Sequence, residues 1–189
     1  MAEQISSEAF ARVLRGRRTI DLFLPEPVSS DVLREAIDVA RWAPNHRLTE
    51  PWHFYLIGQT AKTAITELAV ELDTAAKGER AGAARRERLK GVPGFFVLTS
   101  RRSDDNALLD KEDYAACCCA AENLMLYLWQ RGIGVKWTTG GIIRNARLYE
   151  LLGIDPSREV IVGLFWYGTP KIIPEQKRRA VSEIVTERP

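Results

Sequence analysis

The sequence predicts a three-layer domain of the α+β or α/β class. Four short apolar runs of strand character, at 52–58, 94–100, 134–141 and 159–168, alternate with stretches whose apolar residues recur at helical spacing. Chains patterned this way bury the helices against a sheet. Neither an internal repeat nor a linker divides the 189 residues, so 1–189 reads as a single domain, large enough to hold a core without disulfides or metals.

In chain order, SSEAFARVLRG at 6–16 offers a Ser N-cap, apolar Phe10, Val13 and Leu14, and Gly16 as a stop, which predicts a short helix. After Pro25 and Pro27, Ser30 is the expected cap of a second helix with Val32, Leu33, Ala36, Ile37 and Ala40 on one face, ended by Pro44. WHFYLIG at 52–58 is a strand, followed by a helix from about Ala61 to Leu72. Residues 73–91 are polar and basic, compatible with helix yet with little that demands burial, and a mobile flap is one reading of them. GFFVLTS at 94–100 is a second strand, and 107–130 a long apolar helix at the centre of the core. Gly132 stops that helix, GVKWTTGG at 134–141 is a strand with a glycine pair at its end, Ala146–Leu152 a short helix stopped by Gly153, and EVIVGLFWYG at 159–168 a buried strand. The tail 169–189 has no periodicity and must lie on something to be ordered.

Composition removes several functions. Twenty-seven Lys and Arg against 25 Asp and Glu leave +2, too little for the field of a dedicated nucleic-acid binder. No apolar stretch reaches the roughly 18 residues of a membrane span and the N-terminus lacks the order of a signal peptide, so a cytoplasmic protein is expected, without nucleic-acid or membrane partners. The cysteines, Cys117, Cys118 and Cys119, are consecutive, which suits neither a disulfide framework nor a zinc site. Two histidines, His46 and His53, leave few parts for a metal site or a Ser-His-Asp triad.

Four segments carry candidate chemistry. Arg17-Arg18-Thr19 supplies fork-shaped donors and a hydroxyl suited to a phosphate, although double arginines also occur at solvated helix ends. Arg41 to Trp52 packs Trp42, Asn45 and His46 between two prolines, as either a rigid connector or a ligand loop. Gly132 to Gly141 is no dinucleotide fingerprint, because position 137 is Trp and the loop precedes its strand, but Gly140 and Gly141 would admit a flat ring close to the backbone. Lys177-Arg178-Arg179 taken alone is an ordinary solvated cluster.

In this order and at these separations the four segments resemble the nitroreductase family of FMN-dependent enzymes, from about residue 8 to residue 185. Arg17-Arg18-Thr19 looks like the opening motif, normally Arg-Arg-Ser or Arg-His-Ser, that binds the FMN phosphate and ribityl chain. Ala43-Pro44-Asn45-His46 through Pro51-Trp52-His53-Phe54 is similar to the second motif, and its APNH form is most like the compact bacterial single-domain branch, in which the His46 position reaches a flavin held mainly by the other subunit. Gly132-x-Gly134 with Trp137-Thr138-Thr139-Gly140-Gly141 looks like the third motif, along the flavin ring, and Lys177 and Arg179 match the basic pair that returns to the phosphate. Glu50 stands where the family commonly has Gln, and Asp21 where many larger members place a flavin-facing Lys, for which Lys136 would substitute.

The resemblance implies an α/β/α sandwich with a central, mainly antiparallel sheet flanked by helices, and a homodimer with FMN at the subunit interface. It further implies that NADH or NADPH delivers a hydride to flavin N5 and a small organic acceptor, such as a nitroaromatic or quinone, removes the electrons in a ping-pong cycle. No side chain is then catalytic, and the implied cofactor-binding set is Arg17, Arg18, Thr19, Trp42, Asn45, His46, Lys136, Trp137, Thr138, Thr139, Gly140, Gly141, Lys177 and Arg179, with no metal ligand. Two competing classes are a flavin-binding or flavin-processing protein without reductase turnover, and a nucleic-acid module using Arg85, Arg86, Arg101, Arg102 and Arg179. Acceptor and NADH or NADPH preference are not legible at this level.

Overall fold

A computed structural model describes residues 5–103 and 105–188. Its centre is a four-stranded sheet in the order β1-β2-β4-β3, formed by β1 (Trp52–Ile57), β2 (Gly94–Arg101), β3 (Gly134–Thr138) and β4 (Glu159–Gly168). All three strand pairings are antiparallel, which selects the α+β class. A single parallel bridge, Thr19 to Val135, lies outside the named strands.

Among the described residues six α-helices flank the sheet: α1 (Ser7–Gly16), α2 (Ser30–Ala40), α3 (Gln59–Lys77), α4 (Glu79–Lys90), α5 (Ala107–Gln130) and α6 (Ala146–Leu152). Side chains alternate across β4, so Val162, Phe165 and Tyr167 enter one core with α2 and α5, while Ile161, Leu164 and Trp166 enter a second with residues of α3, α4 and α6. These two cores make the three layers. Ala116, Cys117, Ala120 and Ala121 present a face of small buried side chains that lets α5 lie close to the sheet.

Local sequence accounts for most boundaries. The Ser6 side chain accepts from the Ala9 amide to start α1, and Asn106 and Asn145 do the same for α5 and α6. For α2 the cap is Ser29, not Ser30, which is the first helical residue. Ser29 alone has the extended backbone that turns its hydroxyl back toward the amide of Asp31.

At 73–91 the structure has a docked helical hairpin in place of a flap. α3 runs on to Lys77, Gly78 turns the chain at φ 85°, and α4 returns along α3. Gly82 permits close approach, since a Cβ there would lie 1.8 Å from Thr74 Oγ1. Arg85 pairs with Asp73, Arg86 with Glu67, and Leu89 is buried, so α4 is held by polar grips and one apolar anchor that hydropathy alone underrates.

The tail is pinned at its start. Leu24 donates to the Thr169 carbonyl and Lys171 to that of Leu22, 2.9 Å each, so residues 19–24 run beside β3 and then beside the first tail residues. Beyond this a single 3-10 turn, Val181–Glu183, interrupts an exposed irregular chain.

Candidate functional site

A cleft of about 490 Å³ opens between the β3/β4 face of the sheet and the α3–α4 hairpin. Its floor is Lys136, Thr138, Leu164 and Trp166, its apolar wall Ile65, Ala69 and Leu72 of α3, its far side Arg85 and Arg88 of α4, and its rim Gly140 and Gly141. Strand alternation decides this floor. Lys136 pairs with Trp166 and Thr138 with Leu164, so the four side chains share the hairpin face.

The floor carries excess positive charge. Both Lys136 Nζ and Arg88 Nη2 donate to Asp21 Oδ1, and each cation lies 5.2 Å over the Trp166 ring. The Lys136 hydrogen bond is the main cause that holds the Asp21 carboxyl below the usual carboxylate range, with the nearby charges of Lys136 and Arg88 adding to it and partial desolvation opposing. Two cations thus share one carboxylate. In the same floor the indole Nε1 of Trp166 is buried and has no hydrogen-bond partner, which carries a desolvation cost.

The first and fourth sequence segments converge. Ile20 donates to Val135 O, which sets Arg17-Arg18-Thr19 at the head of β3 with Thr19 exposed. Arg18 donates to three carbonyls, those of Pro174, Arg15 and Arg17, at 3.1, 2.6 and 2.9 Å. It therefore grips the tail three residues before Lys177, and both Lys177 and Arg179 are exposed. Arg17 Nε lies 3.4 Å from Glu122 Oε1 and, although buried, has no hydrogen-bond partner.

Other expected residues lie elsewhere within one chain. The segment with Trp42, Asn45 and His46 leads into β1, the sheet edge opposite β3. Trp42 and His46 are exposed there, while Asn45 bonds within its own loop. The Trp137 indole points to the α2/α5 face. A register shift between Leu98 and Thr99 leaves Val162 unpaired, and Trp137 Nε1 donates to its carbonyl at 3.1 Å while the ring stacks on Phe165. Thr139 offers its carbonyl to Arg144. Among the cleft residues, sequence reasoning passed over Arg88, Trp166 and the α3 wall. Pairing the 134–141 and 159–168 strands would have exposed Trp166, but nothing local marks Arg88 among its basic neighbours.

Three of the five arginines that a nucleic-acid module would use are already paired, Arg85 with Asp73, Arg86 with Glu67 and Arg101 with Asp113. No helix among the described residues is long and apolar enough to cross a membrane.

The family model described as the nitroreductase family matches residues 14–169. The curated Bacillus subtilis protein named "Putative NAD(P)H nitroreductase YfhC" is 31% identical over 186 residues, covering 94% of this chain and 93% of its own. Among solved structures, a nitroreductase-like family protein from Bacillus cereus superposes with a TM-score of 0.82 at 30% identity, over 100% of this chain and 98% of that one. The FMN-dependent nitroreductase NfnB from Mycobacterium smegmatis, solved with NADPH, has a TM-score of 0.76 at 18% identity over 97% and 99% of the two chains, a likeness of fold.

Proposed function

The chain belongs to the nitroreductase family and is an FMN-dependent oxidoreductase, and from that premise we propose that it takes electrons from NADH or NADPH and reduces a small organic acceptor, nitroaromatic, quinone or related, at sites completed by a second copy. The observation that carries this reading is the cleft floor, where Lys136 and Arg88 share one carboxylate beside the orphaned Trp166 indole. These residues fit the group. The apolar α3 wall suits a flat ring, and a Cβ placed on Gly140 or Gly141 would meet nothing within 4 Å, so the rim is open to close approach.

When bound, FMN would supply the redox chemistry, carrying electrons between the reduced nicotinamide and the acceptor in a ping-pong cycle. Lys136, held in place by Asp21, and Arg88 would offer fixed positive charge to a reduced, negatively charged ring. Arg17, Thr19, Lys177 and Arg179 are the proposed phosphate ligands, and Arg18 acts by fixing the tail that carries two of them. Thr138, Thr139, Gly140, Gly141 and the Trp137 backbone border the ring.

Asn45 and His46, with Trp42, sit at the sheet edge opposite this cleft, so they serve a cleft of another copy. A homodimer also covers apolar surface that one chain leaves bare: Phe10, Leu14, Ile172, Ile173 and Ile184 are exposed, and an apolar groove of about 820 Å³ lies between α1 and α5.

The deciding experiment is the visible spectrum of the purified protein, release and chromatography of its chromophore, then anaerobic NADPH and NADH. FMN that bleaches supports the reading. Bound flavin that stays oxidised favours a binding or processing role, and no flavin after reconstitution with excess FMN overturns it.

A further inference from the structure

Three of the five residues at 46–50 adopt a backbone that their side chains disfavour. Arg47, Leu48 and Glu50 have φ of 53°, 54° and 43°, in the left-handed region where a Cβ crowds the following carbonyl. Such strain persists only where the surroundings impose it. Apolar burial does not, since Leu48 is 82% exposed and His46 and Arg47 are exposed too. The constraint comes from polar grips, chiefly a carboxylate on the other side of the loop.

Asp113 of α5 is fully buried. Its Oδ1 accepts from Thr49 Oγ1 at 2.6 Å and its Oδ2 from Arg101 Nε at 2.7 Å. Arg101 also donates its amide to Pro51 O, and Asn45 Oδ1 accepts from the Glu50 amide, so both ends of the strained turn are tied. A buried charge is costly unless fully bonded. The helix that forms the centre of the core spends one buried position on a carboxylate, and the side chain it bonds outside the sheet belongs to this turn.

We propose that Asp113 is a positioning residue: through Thr49 it holds the 46–50 turn, with Arg47, Leu48 and Glu50 left-handed, in the form that projects His46 and Leu48 outward, and so sets where His46 meets the flavin of a second copy. What His46 meets rests on the function proposed above; the grip on the turn does not.

The test uses Thr49→Val, which removes the hydroxyl at nearly constant volume, with Thr49→Ser as the variant that keeps it. Asp113 itself is left intact because losing it strands Arg101. The readouts are the imidazole resonances of His46, assigned against the single other histidine His53, in the flavin-free full-length chain, and FMN affinity by fluorescence titration. The expected result is a displaced His46 resonance and FMN affinity about tenfold weaker in Thr49→Val, both restored in Thr49→Ser, with the melting curve of the serine variant close to wild type. Unmoved His46 resonances in Thr49→Val overturn the grip. Moved resonances with unchanged FMN affinity overturn the flavin-facing role of His46. If the wild-type chain binds no FMN, the functional reading falls, and the resonances of the flavin-free chain still decide the grip.

Discussion

Arg88 in the last turn of α4 donates to the carboxylate of Asp21, 67 residues earlier in the chain, and so ties the hairpin to the segment beside β3 across the cleft. Both side chains are substantially exposed, so the pair contributes at most about 1 kcal/mol. Arg88→Ala is therefore expected to leave the global melting temperature nearly unchanged while raising amide hydrogen exchange across 79–90. Exchange at the wild-type rate would show that Leu89 and the Arg85–Asp73 pair suffice.

Asp21 also predicts an acid response. Its folded pKa is lowered, first by the Lys136 hydrogen bond, from an ordinary value of 3.8. The associated stability is complete above that ordinary value and is lost as pH falls through the lowered folded pKa. Asp21→Asn should thus be less stable than wild type at pH 7 by up to about 1 kcal/mol, given the exposure of the pair, and the difference should narrow as pH falls below the ordinary carboxylate value, in urea titrations across the acid range. A constant difference would remove Asp21 from the cause.

Gly163 lies beneath the Trp137 ring, and a Cβ there would sit 2.2 Å from Trp137 Nε1. Gly163→Ala must displace the indole from the Val162 carbonyl, at a cost of about 1–3 kcal/mol. Trp137→Phe keeps the stacking on Phe165 but leaves that carbonyl unbonded, for about 1–2 kcal/mol. Chemical denaturation of both variants checks the order; a neutral Gly163→Ala would mean that the β4 bulge yields.

The three adjacent thiols should react in a fixed order. Burial pushes Cys117 up to about 12 and Cys118 upward by less, while Cys119 is exposed. Since the thiolate is the reactive form, an aromatic disulfide reagent at pH 8 should label Cys119 first, Cys118 slowly, and Cys117 on unfolding. Mass spectrometry of timed samples reads the order directly.

The extent of sequence legibility follows from the kind of information each element needs. α5, α6 and β4 lie at the residues expected, because each is bounded by its own cap or stop. The resemblance supplied the antiparallel pairing, which no local pattern dictates. The α3–α4 hairpin was missed because Gly82 and the Arg85–Asp73 pair act between helices. In the cleft, Lys136 and the glycine pair were legible, whereas Arg88 depends on how a distant helix docks. Trp137 had strand character, yet its neighbour Lys136 necessarily faces the other way.

Residues 19–24 lie against 135 and 169–171, and β4, which both β2 and β3 need as a neighbour, comes last among the strands. During synthesis β1 and β2 must therefore wait with one edge unsatisfied until residue 168 has been made. Contacts of such long sequence separation form slowly. A nascent chain halted before β4 has no smaller folded unit to fall back on, and it offers the aromatic edge of β2 to any neighbour, so the rate of translation through this last strand sets how long the protein is vulnerable.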